Sequence, residues 1–145
     1  MGMLAVNKRA SFDYEILETF SAGIELIGHE VKSAKLGRID LAGSHAIIRG
    51  DEIFLVGTRI HSFQPKNAPL DYDESRTRKL LLKREEIKYL IGKTQSGLTL
   101  IPLKAFTHHN ILKIELGLGK GKKKHDKRET IKKREVEREM RRVVA

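Results

Sequence analysis

Leu98-Thr-Leu-Ile-Pro-Leu-Lys-Ala-Phe106, Thr107-His-His-Asn110 and Ile111-Leu-Lys-Ile-Glu-Leu-Gly-Leu118 form the stretch on which the fold is decided. Leu112, Ile114, Leu116 and Leu118 recur at every second position, with Lys113 and Glu115 between them. A period of two places such a set on one face of a strand. Leu98 to Phe106 reads as the preceding strand, and Thr107 to Asn110 as the turn that joins the two.

Working back from this pair, Lys83 to Ile91 has helical spacing, with Ile87, Leu90 and Ile91 as its buried side and Gly92 as its end. Leu80 to Leu82 is an apolar run. Ser62 to Thr77, with Pro65 and Pro69, reads as a loop. Ser44 to Arg49 and Ile53 to Ile60 are β-rich runs joined at Gly50-Asp51-Glu52, a hairpin by composition. Ile24, Ile27, Val31 and Ala34 fall at helical spacing, with Ser21 as a possible cap, Ser21-Ala22-Gly23 as punctuation and Gly37 as the stop. Phe12, Tyr14 and Ile16 alternate with polar neighbours as a strand. The order is then β, α, β, β, α, β, β. Short antiparallel strands with few helices predict a mainly β fold with flanking α. The expected form is an OB-like antiparallel Greek-key barrel with two or three helices, over residues 1–119.

Working forward, residues 120–145 are a basic tail. They carry twelve Lys and Arg against five acids, +7 of the chain's net +10. With so few apolar side chains the segment cannot offset its own ordering entropy. Glu129 and Lys133, and Glu137 and Arg141, nevertheless stand at i,i+4 in the favourable order for a helix. The expectation is a segment disordered when free and helical against something strongly anionic. The glycines at 117, 119 and 121 read as a hinge between barrel and tail.

At 145 residues one domain is expected, long enough for a real core without staples. The absence of Cys excludes disulfides and thiolate metal sites and fits a reducing cytoplasm. Met1 to Val6 lacks the charge and length of a signal peptide, and no apolar run reaches a membrane span. A pI of about 9.9 points to a polyanionic partner, nucleic acid rather than membrane.

No motif supports catalysis, and no cofactor or metal is expected. His29-Glu30 begins a zinc-protease pattern, but Ser33 stands where the second His is required. Gly117 to Lys122 lacks the spacing of a phosphate loop. Arg49-Gly50-Asp51 is a hairpin turn. His108 and His109, adjacent on a strand, would point to opposite faces. RNA contact has more support. Lys8 and Arg9 flank an aromatic strand, and Lys32 and Lys35 share a helix. Arg76, Arg78, Lys79, Lys83 and Arg84 surround Leu80 to Leu82.

Several stretches, in order, resemble the small protein B family, the partner of transfer-messenger RNA (tmRNA) in bacterial ribosome rescue. They are Asn7-Lys-Arg-Ala10 with Phe12 to Ile16, Gly28-His-Glu-Val-Lys-Ser33, Gly37-Arg38, Arg76 to Leu82, and Gly119 to Lys123 leading into His125-Asp-Lys-Arg128. The likeness runs over nearly the whole chain. It implies a non-enzymatic, cytoplasmic RNA-binding adaptor of trans-translation, one monomer per tmRNA. Its barrel would hold the tRNA-like domain, in the place of an absent anticodon arm. Its tail would probe the vacant mRNA channel and the small-subunit decoding centre, among rRNA. Asn7, Lys8, Arg9, Lys32 and Leu81 match family positions of the RNA-binding body, to which the charge pattern adds Arg76, Arg78, Lys79 and Lys83. His125, Asp126, Lys127 and Arg128 match the family's decoding-centre segment. Lys122, Lys123, Lys132, Lys133 and Arg134 extend that basic segment. His125, the tail's only ring, suits stacking on an exposed base. Ser21, Asp40, His45 and Glu74 depart from the usual family residues. The alternative reading is a structural ribosomal protein with an rRNA-threaded tail.

Overall fold

The computed structural model describes residues 2–62 and 72–122. Strand β1 (Gly2–Val6) leads through the single-turn helix α1 (Ala10–Asp13) into the long strand β2 (Tyr14–Ile24). Helix α2 (Gly28–Lys35), the short β3 (Ile39–Asp40), the hairpin β4 (His45–Arg49) and β5 (Glu52–Val56), and the short β6 (Arg59–Ile60) follow. Then come β7 (Arg78–Leu81), helix α3 (Arg84–Gln95), and the pair β8 (Thr99–His108) and β9 (Ile111–Gly121).

Seven strands form one sheet in the order β1-β8-β9-β2-β7-β5-β4, with every pair antiparallel. β4 returns against β8, so the sheet curls into an OB-like barrel. β1 takes the remaining part of that same edge of β8, from Gly2 opposite Thr107 to Val6 opposite Lys104. β3 pairs separately with β6. The curl has local causes. Register shifts between Ile16 and Glu18 in β2 and between Pro102 and Lys104 in β8 are bulges, which bend a strand. Pro102 lacks an N–H and is accommodated at such an irregularity.

Leu112, Ile114, Leu116 and Leu118 are all buried, as their spacing predicts. They join Ala22, Ile53, Leu55, Leu80, Leu90 and Leu100 in the core. Each buried Leu or Ile among them contributes roughly 1.5–3 kcal/mol on leaving water. The turn between β8 and β9 is shorter than the four residues expected. His109 (φ 49°) and Asn110 (φ 64°) are both left-handed, as a two-residue hairpin loop requires. That loop draws the rings of His108 and His109 to 4.1 Å rather than to opposite faces.

Other boundaries move too. β2 continues through Ser21 to Gly23 instead of breaking there, and α2 starts at Gly28 rather than Ile24. Gly37 (φ 81°) does end α2: its N–H reaches Ala34 O and the Arg38 N–H reaches Ser33 O. Gly92 lies within α3, which stops at Gln95, and Gly97 (φ 102°) plays the terminal role. On α3 Leu90 is fully buried, while Ile87 and Ile91 are half-buried. The glycines near the end of β9 are not a hinge. Gly117 and Gly119 are buried within the ladder, and a Cβ on Gly117 would meet Leu103 Cδ1 at 2.9 Å. Residues 120 and 121 therefore belong to the body's last strand.

Candidate nucleic-acid interface

The strand Arg78–Leu81 organises the best-defined surface. Its period of two sends Arg78 and Leu80 inward and Lys79 and Leu81 outward. Arg78 is buried because Glu30, at the third position of α2, is buried beside it. Arg78 Nε and Nη2 donate to Glu30 Oε2 at 2.8 and 2.6 Å. Nη1 donates to Thr58 O at 2.7 Å and Arg76 O at 3.1 Å, and Nη2 also to Glu74 O at 2.9 Å. All five guanidinium N–H groups are thus used. Arg76 adds its Nε to Glu30 Oε2 at 3.1 Å and its Nη2 to Oε1. The Ile27 N–H closes the first turn of α2 on Oε1 at 3.1 Å. Tyr72 donates its hydroxyl to Ile60 O at 2.7 Å and lies 3.2 Å from Glu30 Oε2.

Electrostatics follow from this geometry. Burial raises the Glu30 carboxyl, but the hydrogen bonds from Arg76 and Arg78, the Ile27 N–H and the Arg78 charge outweigh it and hold the group below the ordinary glutamate value. Burial, and then the Glu30 charge, push the Tyr72 phenol up. A buried ion pair of this kind tolerates loss of either partner poorly. Arg78 therefore fastens α2 to β7 and has no donor left for RNA; its placement among the RNA-facing residues is corrected.

Outside this lock the surface mixes basic, acidic and apolar side chains, with Glu25 on the first of two grooves and Asp51 and Glu52 on the second. Leu81 is 46% exposed and Ile27 44%. With Ile24, Phe54, Arg76 and Lys79 they line one groove. A second groove, on the other side of Lys79 and Leu81, runs to Arg84, Ile87 and Lys88 on α3. Lys83, exposed, is the N-cap of α3, and its N–H meets Glu86 Oε1 at 3.1 Å. Lys79 lies 3.7 Å from Glu52. Lys32 is exposed on α2, which Lys35 also ties to the β8–β9 turn through Asn110 Oδ1 at 3.2 Å.

The other basic cluster is elsewhere. Asn7, Lys8 and Arg9 precede β2, whereas β7 pairs with its far end at Gly23 and Ile24. Eleven strand residues set those ends at most roughly 33 Å apart. Asn7 is largely buried: its Nδ2 donates to Pro102 O at 2.9 Å and its N–H to Leu103 O at 2.7 Å. It ties the chain to the β8 bulge and, with Arg9, Tyr14 and His45, lines an open groove. Lys8 and Arg9 are exposed, and the Arg9 guanidinium lies 4.8 Å from the Phe12 ring centroid and 3.6 Å from Asp13.

Two of the unusual residues have structural roles. Asp40 accepts the Ala42 N–H at 2.9 Å and pairs with Arg59 at 3.3 Å. The Ala42 hydrogen bond leads in holding its carboxyl down, against a smaller opposing effect of burial. Glu74 pairs with His61 at 3.2 Å. No group of three or more potential metal ligands exists among the described residues. No helix there is long and apolar enough to cross a membrane. Lys122 ends the described chain. Lys123, His125, Asp126, Lys127, Arg128, Lys132, Lys133 and Arg134 lie outside it, as does the middle of the Ser62–Thr77 loop.

Charge counting missed Glu30 and Tyr72. The strand alternation of Arg78-Lys79-Leu80-Leu81 is the signal that sends Arg78 inward and so calls for a buried acid.

The family profile described as SmpB protein matches residues 4–145. The SsrA-binding protein of Synechococcus elongatus is 48% identical over 143 residues, 98% of this chain and 93% of that protein. That of Gloeothece citriformis is 48% identical over 143 residues, covering 98% and 92%. A chain of the solved structure "tmRNA-SmpB: a journey to the center of the bacterial ribosome" is 42% identical and superposes with a TM-score of 0.68, over 88% of this chain and 93% of that one. Fold and sequence agree along nearly the full length, and the chain belongs to the SmpB family.

Proposed function

We propose that this protein is an RNA-binding adaptor of trans-translation that binds tmRNA and carries it to stalled ribosomes. Its likeness to SsrA-binding proteins along almost its entire length carries the reading. The finer assignments rest on the surface. The tRNA-like domain sits on the outer face of β7, where Lys79, Leu81, Lys83 and Arg76 combine phosphate-seeking charge with apolar contact. Lys32, exposed on α2, adds a further basic contact, and Lys8 and Arg9 form another at the opposite end of β2. The basic segment after Lys122 takes helical form in an empty mRNA channel, with His125 to Arg128 at the decoding centre and Lys132, Lys133 and Arg134 against rRNA. A channel filled by messenger excludes it. The protein does no chemistry of its own and works in the cytoplasm.

Ending the chain after Lys122 tests this division. Affinity for isolated tmRNA should stay within about threefold, because few phosphate contacts are lost. Peptide tagging on stalled ribosomes should fail. Loss of tmRNA binding by the shortened chain would overturn the division of labour.

A further inference from the structure

Residues Lys120 onward read in sequence as one loose basic arm, yet Lys122 is hydrogen-bonded to the body twice. Its N–H donates to Asp13 O at 2.9 Å and its Nζ to Ser11 O at 2.8 Å. Both acceptors belong to α1, a helix of four residues. The last carbonyls of any helix lack partners inside it, and in so short a helix these need partners from elsewhere. One residue supplies both, from its backbone and from the end of its side chain.

The approach to this contact is equally constrained. Tyr14 faces Gly121, Glu15 faces Lys120 and Ile16 faces Gly119 across the β2–β9 ladder. A Cβ on Gly119 would stand 3.2 Å from Glu15 O, so the two backbones are in close approach. On its other side α1 is preceded by its N-cap Arg9, two residues after Asn7, which is bonded to β8. One helical turn therefore joins the Lys8–Arg9 cluster to the root of the arm.

We infer that Lys122 is a positioning residue that sets the direction in which residues 123–145 leave the body, at the Lys8–Arg9 end of β2 and away from the β7 face. The inference rests on the reading that this segment acts in the mRNA channel, where direction matters more than reach. Freeing one residue lengthens the arm by no more than about 3.6 Å. A channel entered from the wrong angle is missed at any length.

The chain has no Cys, so two can be introduced without background. Nitroxide labels at Gln95→Cys, exposed on α3, and at Lys124→Cys, two residues past the contact, report the direction of the arm's root by double electron–electron resonance. With Lys122 in place the distance distribution should be narrow. Lys122→Met should widen it at least twofold, and Lys122→Arg, which can still donate to Ser11 O, should narrow it again. The same Lys122→Met change in the unlabelled full chain should leave tmRNA affinity within twofold and slow tagging about tenfold, with Lys122→Arg recovering most of the rate. Equal widths in all three labelled chains overturn the inference, even if tagging falls, since Lys122 would then act by touching the ribosome. Widening with no loss of tagging also overturns it. Failure of the unaltered protein to bind tmRNA would instead sink the proposed function, while the distance measurement would still judge the contact.

Discussion

Arg78 and Glu30 meet through two hydrogen bonds to a single carboxylate oxygen, at 2.6 and 2.8 Å, with neither side chain exposed to solvent. The pair joins the first turn of α2 to β7, and so sets the position of the strand whose outer face carries Lys79 and Leu81. Glu30→Gln keeps the shape and removes the charge. It leaves Arg78 buried without its counter-ion and should cost about 3–5 kcal/mol. Urea denaturation should show a lower midpoint with little change in slope.

The same pair predicts an acid limb of stability. The Glu30 carboxyl is held below its ordinary value of 4.5 in the folded protein, so near that pH the unfolded chain binds more protons. Its contribution is fully present above the unfolded value and is lost as pH falls through the folded one. Denaturation midpoints measured from pH 6 down to pH 3 should fall less steeply for Glu30→Gln than for the unaltered protein.

Asn7 and Lys8, neighbours in sequence, should separate in experiment. Asn7→Ala removes a hydrogen bond to Pro102 O and leaves that carbonyl short of a donor, costing about 1–3 kcal/mol of stability. It should not alter the salt dependence of tmRNA binding. Lys8→Ala should leave stability within about 0.5 kcal/mol and reduce the slope of log affinity against log salt by about 0.7–0.9. Equal slopes for Lys8→Ala and the unaltered chain would remove Lys8 from the interface.

On the β7 face, Lys83→Ala should likewise reduce the salt slope by about 0.7–0.9. Leu81→Ala should weaken binding without changing that slope, because it removes apolar contact and no charge. Filter binding at four or five salt concentrations separates the two effects.

Gly117 and Leu103 form a steric pair. Gly117→Ala places a methyl group 2.9 Å from Leu103 Cδ1, and should cost about 1–3 kcal/mol as that side chain is forced from its position. Leu103→Ala in the same chain should return part of the loss. A double-mutant cycle with no coupling would show that the contact is absent in solution.

Much of the barrel was legible because its strongest signal is local. Leu112 to Leu118 needs only a period of two, and Gly37 only the left-handed residue that ends a helix. Where reading failed, the deciding partner was distant in sequence. Ser21-Ala22-Gly23 has the composition of a break, but there β2 stays paired with β9 while β7 joins its other edge at Gly23, which gives Leu81 room to approach. Gly117 and Gly119 look like a flexible joint until Leu103 and Glu15 are seen against them. Arg78 reads as one more surface cation because nothing near it in sequence is the acid it needs; Glu30 is 48 residues away. Lys122 reads as part of the arm for the same reason, the acceptor of its side chain lying 111 residues back.

The pairing of Gly2 with Thr107 has a consequence for synthesis. Strand β1 meets its partner only after more than a hundred further residues are made. At roughly 5–20 residues per second, β1 waits on the order of 5–20 s with its hydrogen-bonding groups open. A chain proposed to rescue stalled ribosomes is thus itself exposed to stalling, since a pause before β8 would leave β1 unpaired.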